Sequence, residues 1–169
     1  MKTSLYNRHI KLNAKIVDFA GYQMPINYPE GISKECDSVR KNLGIFDVSH
    51  MGQILVEGKN SFEFVQRLTT NDVSKIKDGQ CQYTLFCNED GGIIDDLILY
   101  KIKENRFMLV VNAANINKDY KWILGCDNGD VKISNLSSDI SLIALQGPNS
   151  RKILSNFAEF ENFIDDLKF

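Results

Sequence analysis

The sequence has few of the residues from which metal centres are built. It contains only two histidines, His9 and His50, and four dispersed cysteines, no two of them at C-x-x-C spacing. Two thiolates reach one metal ion most readily at that spacing, so we assign no metal site. A chain of 169 residues can form a core without disulfides. We therefore expect reduced cysteines and an intracellular location, in the cytoplasm or, for a eukaryotic protein, the mitochondrial matrix.

An excess of charge of one sign and long apolar runs are also absent. Lys and Arg total 20 against 22 Asp and Glu, which gives a net charge of -2. Such a balance creates no field that would hold a polyanion, so we expect no nucleic-acid partner. The longest uninterrupted apolar run is Phe107 to Val111, whereas a membrane helix needs about 20 such residues. We therefore expect no membrane-spanning segment.

Apolar periodicity predicts several short helices. Apolar side chains recur at helical spacing between Gly31 and Gly44, at Ile32, Cys36, Val39 and Leu43. A second helix follows Asn60, and Glu63 three residues later gives the spacing of a capping box. Asn115 is expected to cap a third helix through its side chain.

The strands are predicted as hairpins. Cys81 to Cys87 and Ile93 to Ile102 flank a polar, glycine-containing loop of hairpin length, and Phe107 to Val111 follows as a third strand. Hairpins with interspersed helices predict an α+β fold with a mostly antiparallel sheet and packed helices. One domain is the default count for this length, and two small domains are the alternative.

Two adjacent carboxylates, Asp95 and Asp96, interrupt an otherwise apolar strand. Strand side chains alternate between faces, so one of the two is expected to be partly buried. A buried carboxylate can serve as a proton acceptor or as an oriented hydrogen-bond acceptor at a functional site. The alternative is that one caps a backbone amide while the other faces water.

Other polar residues admit two interpretations each. Ser49 and His50 are adjacent, but neighbouring strand residues point to opposite faces, so a polar turn is favoured over a nucleophile. Asn112 at a strand end can bind a planar heterocycle or form a local turn. Tyr83 and Tyr100 can be core residues or a platform for a ligand.

Six segments in a fixed order resemble the glycine cleavage aminomethyltransferase, or T-protein, family. They are Leu5-Tyr6, Val17 to Pro25, Phe46 to Gly52, Gln66 to Val73, Gly91 to Leu97 and Leu145 to Pro148. Because the first segment starts at Leu5, we expect the basic N-terminus to belong to the fold rather than to a transit peptide.

The resemblance implies an enzyme that moves a one-carbon unit from aminomethyl-lipoyl H-protein to tetrahydrofolate and releases ammonia. It places the catalytic carboxylate at Asp96, in the family's G-G-x-x-D-D-L motif, here Gly91 to Leu97. It also implies that Met51, Tyr83, Val110 and Asn112 line the pterin site together with Asp96, so that tetrahydrofolate and H-protein are the expected partners.

The family's members are more than twice as long as this chain, which leads us to expect that residues 1–169 are the N-terminal portion of the folate-binding module. The family's later Y-T-G-E-type segment has no counterpart before Phe169. Two other functions stay open at this point. One is a non-catalytic folate-binding relative that assists iron-sulfur cluster assembly, and the other is a structural domain without a ligand.

Overall fold

The computed structural model describes residues 1–157, and the structural statements below concern that part of the chain. The helices are α1 (Tyr6–Lys11), α2 (Ile32–Lys41), α3 (Ser61–Leu68), α4 (Ile116–Cys126) and α5 (Ser150–Leu154). The strands are β1 (Lys15–Phe19), β2 (Tyr22–Asn27), β3 (Gly44–Asp47), β4 (Gly52–Glu57), β5 (Cys81–Cys87), β6 (Ile93–Lys103), β7 (Arg106–Val111), β8 (Lys132–Asn135) and β9 (Ile143–Gln146). Short 3₁₀ helices cover Val73–Lys75 and Ala113–Asn115. None of the helices described is long and apolar enough to cross a membrane.

These elements form two compact units. The N-terminal unit contains Met1–His50 and the described chain from Ser141 onward, and the central unit contains Met51–Ile140. In the N-terminal unit, β1 pairs with β2 and β3 pairs with β9, both antiparallel.

A buried polar cluster lies inside the N-terminal unit. The Asp47 carboxylate accepts hydrogen bonds from the Thr3 hydroxyl at 2.6 Å and from the Ser49 backbone N–H at 3.0 Å. His9 lies between Asp47 and Tyr28, with Nε2 2.9 Å from Asp47 Oδ2 and Nδ1 2.8 Å from the Tyr28 hydroxyl. With its proton on Nε2, His9 satisfies both neighbours, so each polar group in this cluster has a partner.

The central unit is built on a five-stranded antiparallel sheet in the order β5-β6-β7-β4-β8. Side chains of α3 and α4 pack on one face of this sheet and form a continuous hydrophobic core with it. That core contains Ile54, Val56, Phe64, Val65, Leu68, Leu97, Leu99, Leu109, Val111 and Ile123. The opposite face of β5, β6 and β7 carries Tyr83, Asp96 and Val110.

The predicted fold class, α+β with a mostly antiparallel sheet, is confirmed. The hairpin between β5 and β6 forms as expected, around a loop in which Gly91 adopts a φ of 80°. That value lies in the left-handed region that glycine occupies without steric cost. The sequence analysis did not predict α1, β1 or β2, which are short and mix exposed with half-buried residues, so they lack a clear apolar periodicity.

Both predicted N-cap positions are confirmed, but the side-chain capping bonds expected there do not form. Asn60 and Asn115 occupy the N-cap positions of α3 and α4, but neither side chain makes a capping hydrogen bond. The Asn115 side chain donates instead to Asp95 of β6.

Candidate functional site

Strand β6 separates its two adjacent carboxylates onto opposite faces of the sheet. Asp95 is paired with Phe86, which is fully buried, and is itself only 6% exposed, on the core side. Asp96 is paired with Leu85 and is partly exposed on the other face. The expectation that one carboxylate is partly buried is confirmed, and the buried one is Asp95.

Two side chains from neighbouring strands hold Asp96. The Tyr83 hydroxyl of β5 donates to Asp96 Oδ2 at 3.0 Å, and the Asn112 side-chain amide donates to Asp96 Oδ1 at 3.0 Å. Tyr83 is 60% exposed, so a solute can reach this pair. The hydrogen bond to Asp96, with smaller contributions from burial and from the negative charge, raises the pKa of Tyr83 and keeps it a proton donor.

The remaining predicted site residues lie close by in the register of the sheet. Tyr83 is paired with Ile98, Ile98 with Val110, and Val110 with Gln53, so these side chains form one row across the same face as Asp96. Val110 is only 4% exposed. Gly52 of β4 is paired with Val111 of β7. Met51 comes directly before Gly52 and Asn112 directly after Val111, so both lie at the same end of this strand pair.

The structure thus joins three of the five predicted residues by hydrogen bonds, namely Asp96, Tyr83 and Asn112. It places Val110 on their sheet face and Met51 at the adjoining strand end. Two cavities of the described chain lie elsewhere. One of about 720 Å³ is lined by residues of α2, β2 and β3, and one of about 400 Å³ by residues of α3 and α4 and the end of β5.

The buried carboxylate, Asp95, has three neighbours beyond the sheet. The Asn112 side-chain amide lies 3.0 Å from Asp95 Oδ1, and the Asn115 amide donates to the same oxygen at 2.8 Å. The third neighbour is Asp119 of α4, which is 0% exposed. Burial opposes the ionisation of Asp95, but the neighbouring side chains of Asp119, Asn112 and Asn115 outweigh it and hold its pKa below the usual value.

Residues 5–169 of the chain match the family model of the GCVT N-terminal domain. The chain belongs to this family. It is 49% identical over 169 residues to an aminomethyltransferase of Caldanaerobacter subterraneus, with 99% of this chain and 44% of that protein covered. It is 48% identical over 161 residues to an aminomethyltransferase of Thermotoga neapolitana, covering 95% of this chain and 44% of that one.

A solved structure of the same family agrees with the fold. The glycine cleavage system aminomethyltransferase T from Bartonella henselae superimposes with a TM-score of 0.86 at 39% identity, covering 92% of this chain and 43% of that one. The chain spans less than half the length of these family members. The predicted resemblance to the glycine cleavage aminomethyltransferase family is confirmed.

The alternative nucleophile is not supported by the contacts of Ser49. Its hydroxyl donates to the Leu142 carbonyl at 3.2 Å and accepts from the Leu142 N–H at 3.0 Å, which is the bonding of a structural turn. Burial lowers the pKa of the adjacent His50. Among the described residues, no cluster of His, Cys, Asp and Glu is arranged to hold a metal ion.

Sequence reasoning missed Asn115 and Asp119 as members of the site. Asn115 was predicted only as a helix cap, and Asp119 was not selected. Their spacing of four residues contained the available signal, because residues i and i+4 of a helix lie on one face. The same face of α4 carries both toward Asp95.

Proposed function

We propose that this chain supplies the acidic group and one wall of the pterin site in a tetrahydrofolate-dependent aminomethyltransferase of the glycine cleavage system. The reaction transfers the one-carbon unit of an aminomethyl group on lipoylated H-protein to tetrahydrofolate and releases ammonia. The observation that carries the proposal is the reachable carboxylate of Asp96, held between Tyr83 and Asn112 in a chain of the GCVT family.

The contacts of Asp96 leave it free to accept further hydrogen bonds. Tyr83 donates to one oxygen and Asn112 to the other, so each oxygen retains a lone pair for a nitrogen of the pterin. A fixed carboxylate there would orient the pterin, accept its proton and stabilise positive charge at the transferred carbon. These are the roles expected of a single catalytic residue.

The other predicted residues give the site its shape. The exposed ring of Tyr83 offers an aromatic face, and Val110 and Met51 lie farther along the sheet, toward and beside β4. A planar heterocycle packs favourably on aromatic and aliphatic side chains, while the Asn112 amide supplies directional polar contacts. We place the reaction in the cytoplasm, where the four cysteines, which are free thiols, stay reduced.

The first experiment measures binding of tetrahydrofolate to the 169-residue chain by anaerobic calorimetry. We expect weak binding, because ligand sites enclose about 70–90% of a ligand and this chain offers one wall. Tyr83→Ala should abolish the binding. The control, Ile102→Ala, changes a residue that is 42% exposed near the other end of β6 and should leave it unchanged. Equal binding by both variants would contradict the assignment of this face.

The second experiment incubates the chain with aminomethylated H-protein and tetrahydrofolate and follows ammonia release. We expect no transfer, because a pterin held on one side is misplaced, and an error of about one ångström can cost on the order of 100-fold in rate. Turnover comparable with that of a full-length relative would show that this chain forms a complete site alone or by self-association.

The alternative of a non-catalytic folate-binding protein is not favoured by the relatives, which are named as aminomethyltransferases. The two functions are separable in a chimera in which this chain replaces the matching segment of a full-length relative. An aminomethyltransferase restores ammonia release in that chimera, whereas a non-catalytic protein binds folate without turnover.

A further inference from the structure

Asp119 is a buried carboxyl group that receives no donor. It lies on α4 with 0% exposure, and no N–H or hydroxyl of the described residues donates to either of its carboxyl oxygens. Removing an ionised carboxylate from water without replacing its hydrogen bonds is strongly unfavourable. The surroundings of Asp119 therefore favour its neutral, protonated form.

Two charged groups of the described chain act on Asp119. Lys118, on the same helix, has its Nζ 3.9 Å from Asp119 Oδ1, which is too far for a hydrogen bond. That ammonium donates instead to the Ile94 carbonyl at 2.5 Å and is half exposed. The other group is Asp95, which approaches from β6, so the charge nearest to Asp119 in the core has the same sign.

Two contacts of the described chain place the Asp119 carboxyl group beside Asp95. The Lys118 ammonium next to Asp119 also reaches the carbonyl of Ile94, the residue before Asp95, and Asn115, one helical turn before Asp119, donates to Asp95 Oδ1 at 2.8 Å. Two carboxylates have no hydrogen to share, so a hydrogen bond between them requires a proton on one of them. Asp95 already accepts from Asn112 and Asn115, which favours its ionised form, while Asp119 has no such donors. The proton of such a bond would therefore reside on Asp119.

We propose that Asp119 is a positioning residue: in its protonated form it donates to Asp95, and the pair holds the Asn112 amide against Asp96. The catalytic meaning of this arrangement rests on the proposed function, since Asp96 is the group that is positioned. The link is the Asn112 amide nitrogen, which lies 3.0 Å from an oxygen of Asp95 and 3.0 Å from an oxygen of Asp96.

The titration of the pair has a direct consequence for the site. Burial, followed by the hydrogen bond with Asp95 and its charge, raises the pKa of Asp119 to about 8, against a weaker opposing effect of Lys118. Above that pH the two carboxyl groups become two anions in one buried space. Repulsion between them removes the bond to Asp95, and the Asn112 amide loses its fixed position.

The test uses the 169-residue chain and needs no ligand. Carboxyl carbon NMR is expected to show Asp119 titrating with a midpoint near 8 and Asp95 charged throughout the neutral range. The side-chain amide signals of Asn112 should shift with the same midpoint. An Asp119 midpoint near the ordinary value of about 4, or Asn112 signals that do not follow Asp119, would overturn the proposal.

Asp119→Asn is the matched variant. Its amide can donate to Asp95 as the carboxylic acid does but has no proton to lose, so the Asn112 signals should resemble those of wild type at pH 6 and stay unchanged up to pH 10. Asp119→Leu fills similar space without a donor, so the signals should be displaced at every pH. If Asp119→Leu does not fold, the wild-type titration and Asp119→Asn still decide the question.

Turnover in the chimera separates this inference from the proposed function. With both correct, the wild-type rate falls above pH 8 and the Asp119→Asn rate keeps its value there. If the Asn112 signals follow the Asp119 titration but the chimera shows no turnover, the interaction of Asp119 with Asp95 is supported and the proposed function is rejected. If turnover is normal but Asp119 titrates near its ordinary value of about 4, only the positioning role of Asp119 is rejected.

Discussion

Two buried acidic clusters, one in each compact unit, differ in how their carboxyl groups are satisfied. Asp47 of the N-terminal unit has donors in Thr3, His9 and Ser49. Asp119 of the central unit has none and faces a second carboxyl group. A fully satisfied buried polar network mainly stabilises one conformation, whereas a buried pair of carboxyl groups gives up stability and is more often found beside a functional site.

The largest effect is expected at Asp96, which the central cluster positions. In the chimera, Asp96→Asn keeps the shape of the side chain and removes its charge. Turnover should fall by roughly 10²–10⁴, the contribution of one acid-base group, with little change in folate affinity. The matched variant, Asp95→Asn, should be milder. Steady-state ammonia release measures both, and equal small losses would contradict the assignment of the catalytic role to Asp96.

The N-terminal cluster should respond in stability and not in chemistry. Asp47→Ala removes the partner of buried His9 and should reduce the free energy of unfolding by about 3–5 kcal/mol. Asp37→Ala, which breaks an exposed pair with Lys41, is the control and should stay within about 0.5 kcal/mol. Chemical denaturation of the 169-residue chain measures both. Similar values for the two variants would show that the buried cluster is not a stabilising one.

The contributions of Asp47 and Asp119 to the pH dependence of stability should have opposite signs. Burial opposes the charge on Asp47, but donors from His9, Ser49 and Thr3 lower its pKa. Its stabilisation is therefore present above the unfolded pKa and lost as pH falls through the folded value. The pKa of Asp119 is raised to about 8, so its contribution is complete below the unfolded value near 4 and is lost as pH rises to 8.

Thermal unfolding between pH 3 and pH 10 measures these slopes. Asp47→Asn should flatten the acid part of the profile and Asp119→Asn the part from about pH 4 to pH 8. These assignments would be contradicted if Asp47→Asn flattened the profile from about pH 4 to pH 8, or if Asp119→Asn flattened only its acid part.

The smallest effect is expected for Tyr83→Phe, which removes only the hydroxyl that donates to Asp96. The pair is exposed, so stability should stay as in wild type, while folate affinity should weaken by about 2- to 10-fold, the range of one hydrogen bond. Calorimetric titration of the chain, with Tyr6→Phe as the control, measures the change. A loss as large as that of Tyr83→Ala would be inconsistent with a separate role for the ring.

Local patterns were enough to predict the part of the site that lies within adjacent strands. The alternation in β6 predicted that Asp95 and Asp96 lie on opposite faces, and the polar loop before β6 predicted its hairpin with β5, as the structure has them. Tyr83 entered the predicted site only through the family resemblance. The family resemblance supplied the choice between Asp95 and Asp96. Local rules alone left that choice open, since they do not say which face meets the helices.

The residues that depend on distant packing were not predictable in this way. Asn115 satisfies every local rule for a cap, and only the proximity of Asp95 draws its amide elsewhere. No local pattern predicts the burial of Asp119, which depends on how α4 packs against the sheet. The strand order is likewise non-local, because β4 lies between β7 and β8, which come much later in the chain.

The bulge in the β5–β6 hairpin determines which changes of chain length the site can survive. Phe86 is paired with Asp95 and Cys87 with Ile93, so Ile94 has no partner in β5. From Leu97 onward the register of β6 is also set by β7, through the Leu97–Val111 pair. Residues added to the loop before Ile93 can be absorbed at the bulge. One residue inserted between Asp96 and Leu97 would shift the strand by one position and exchange the faces of Asp95 and Asp96.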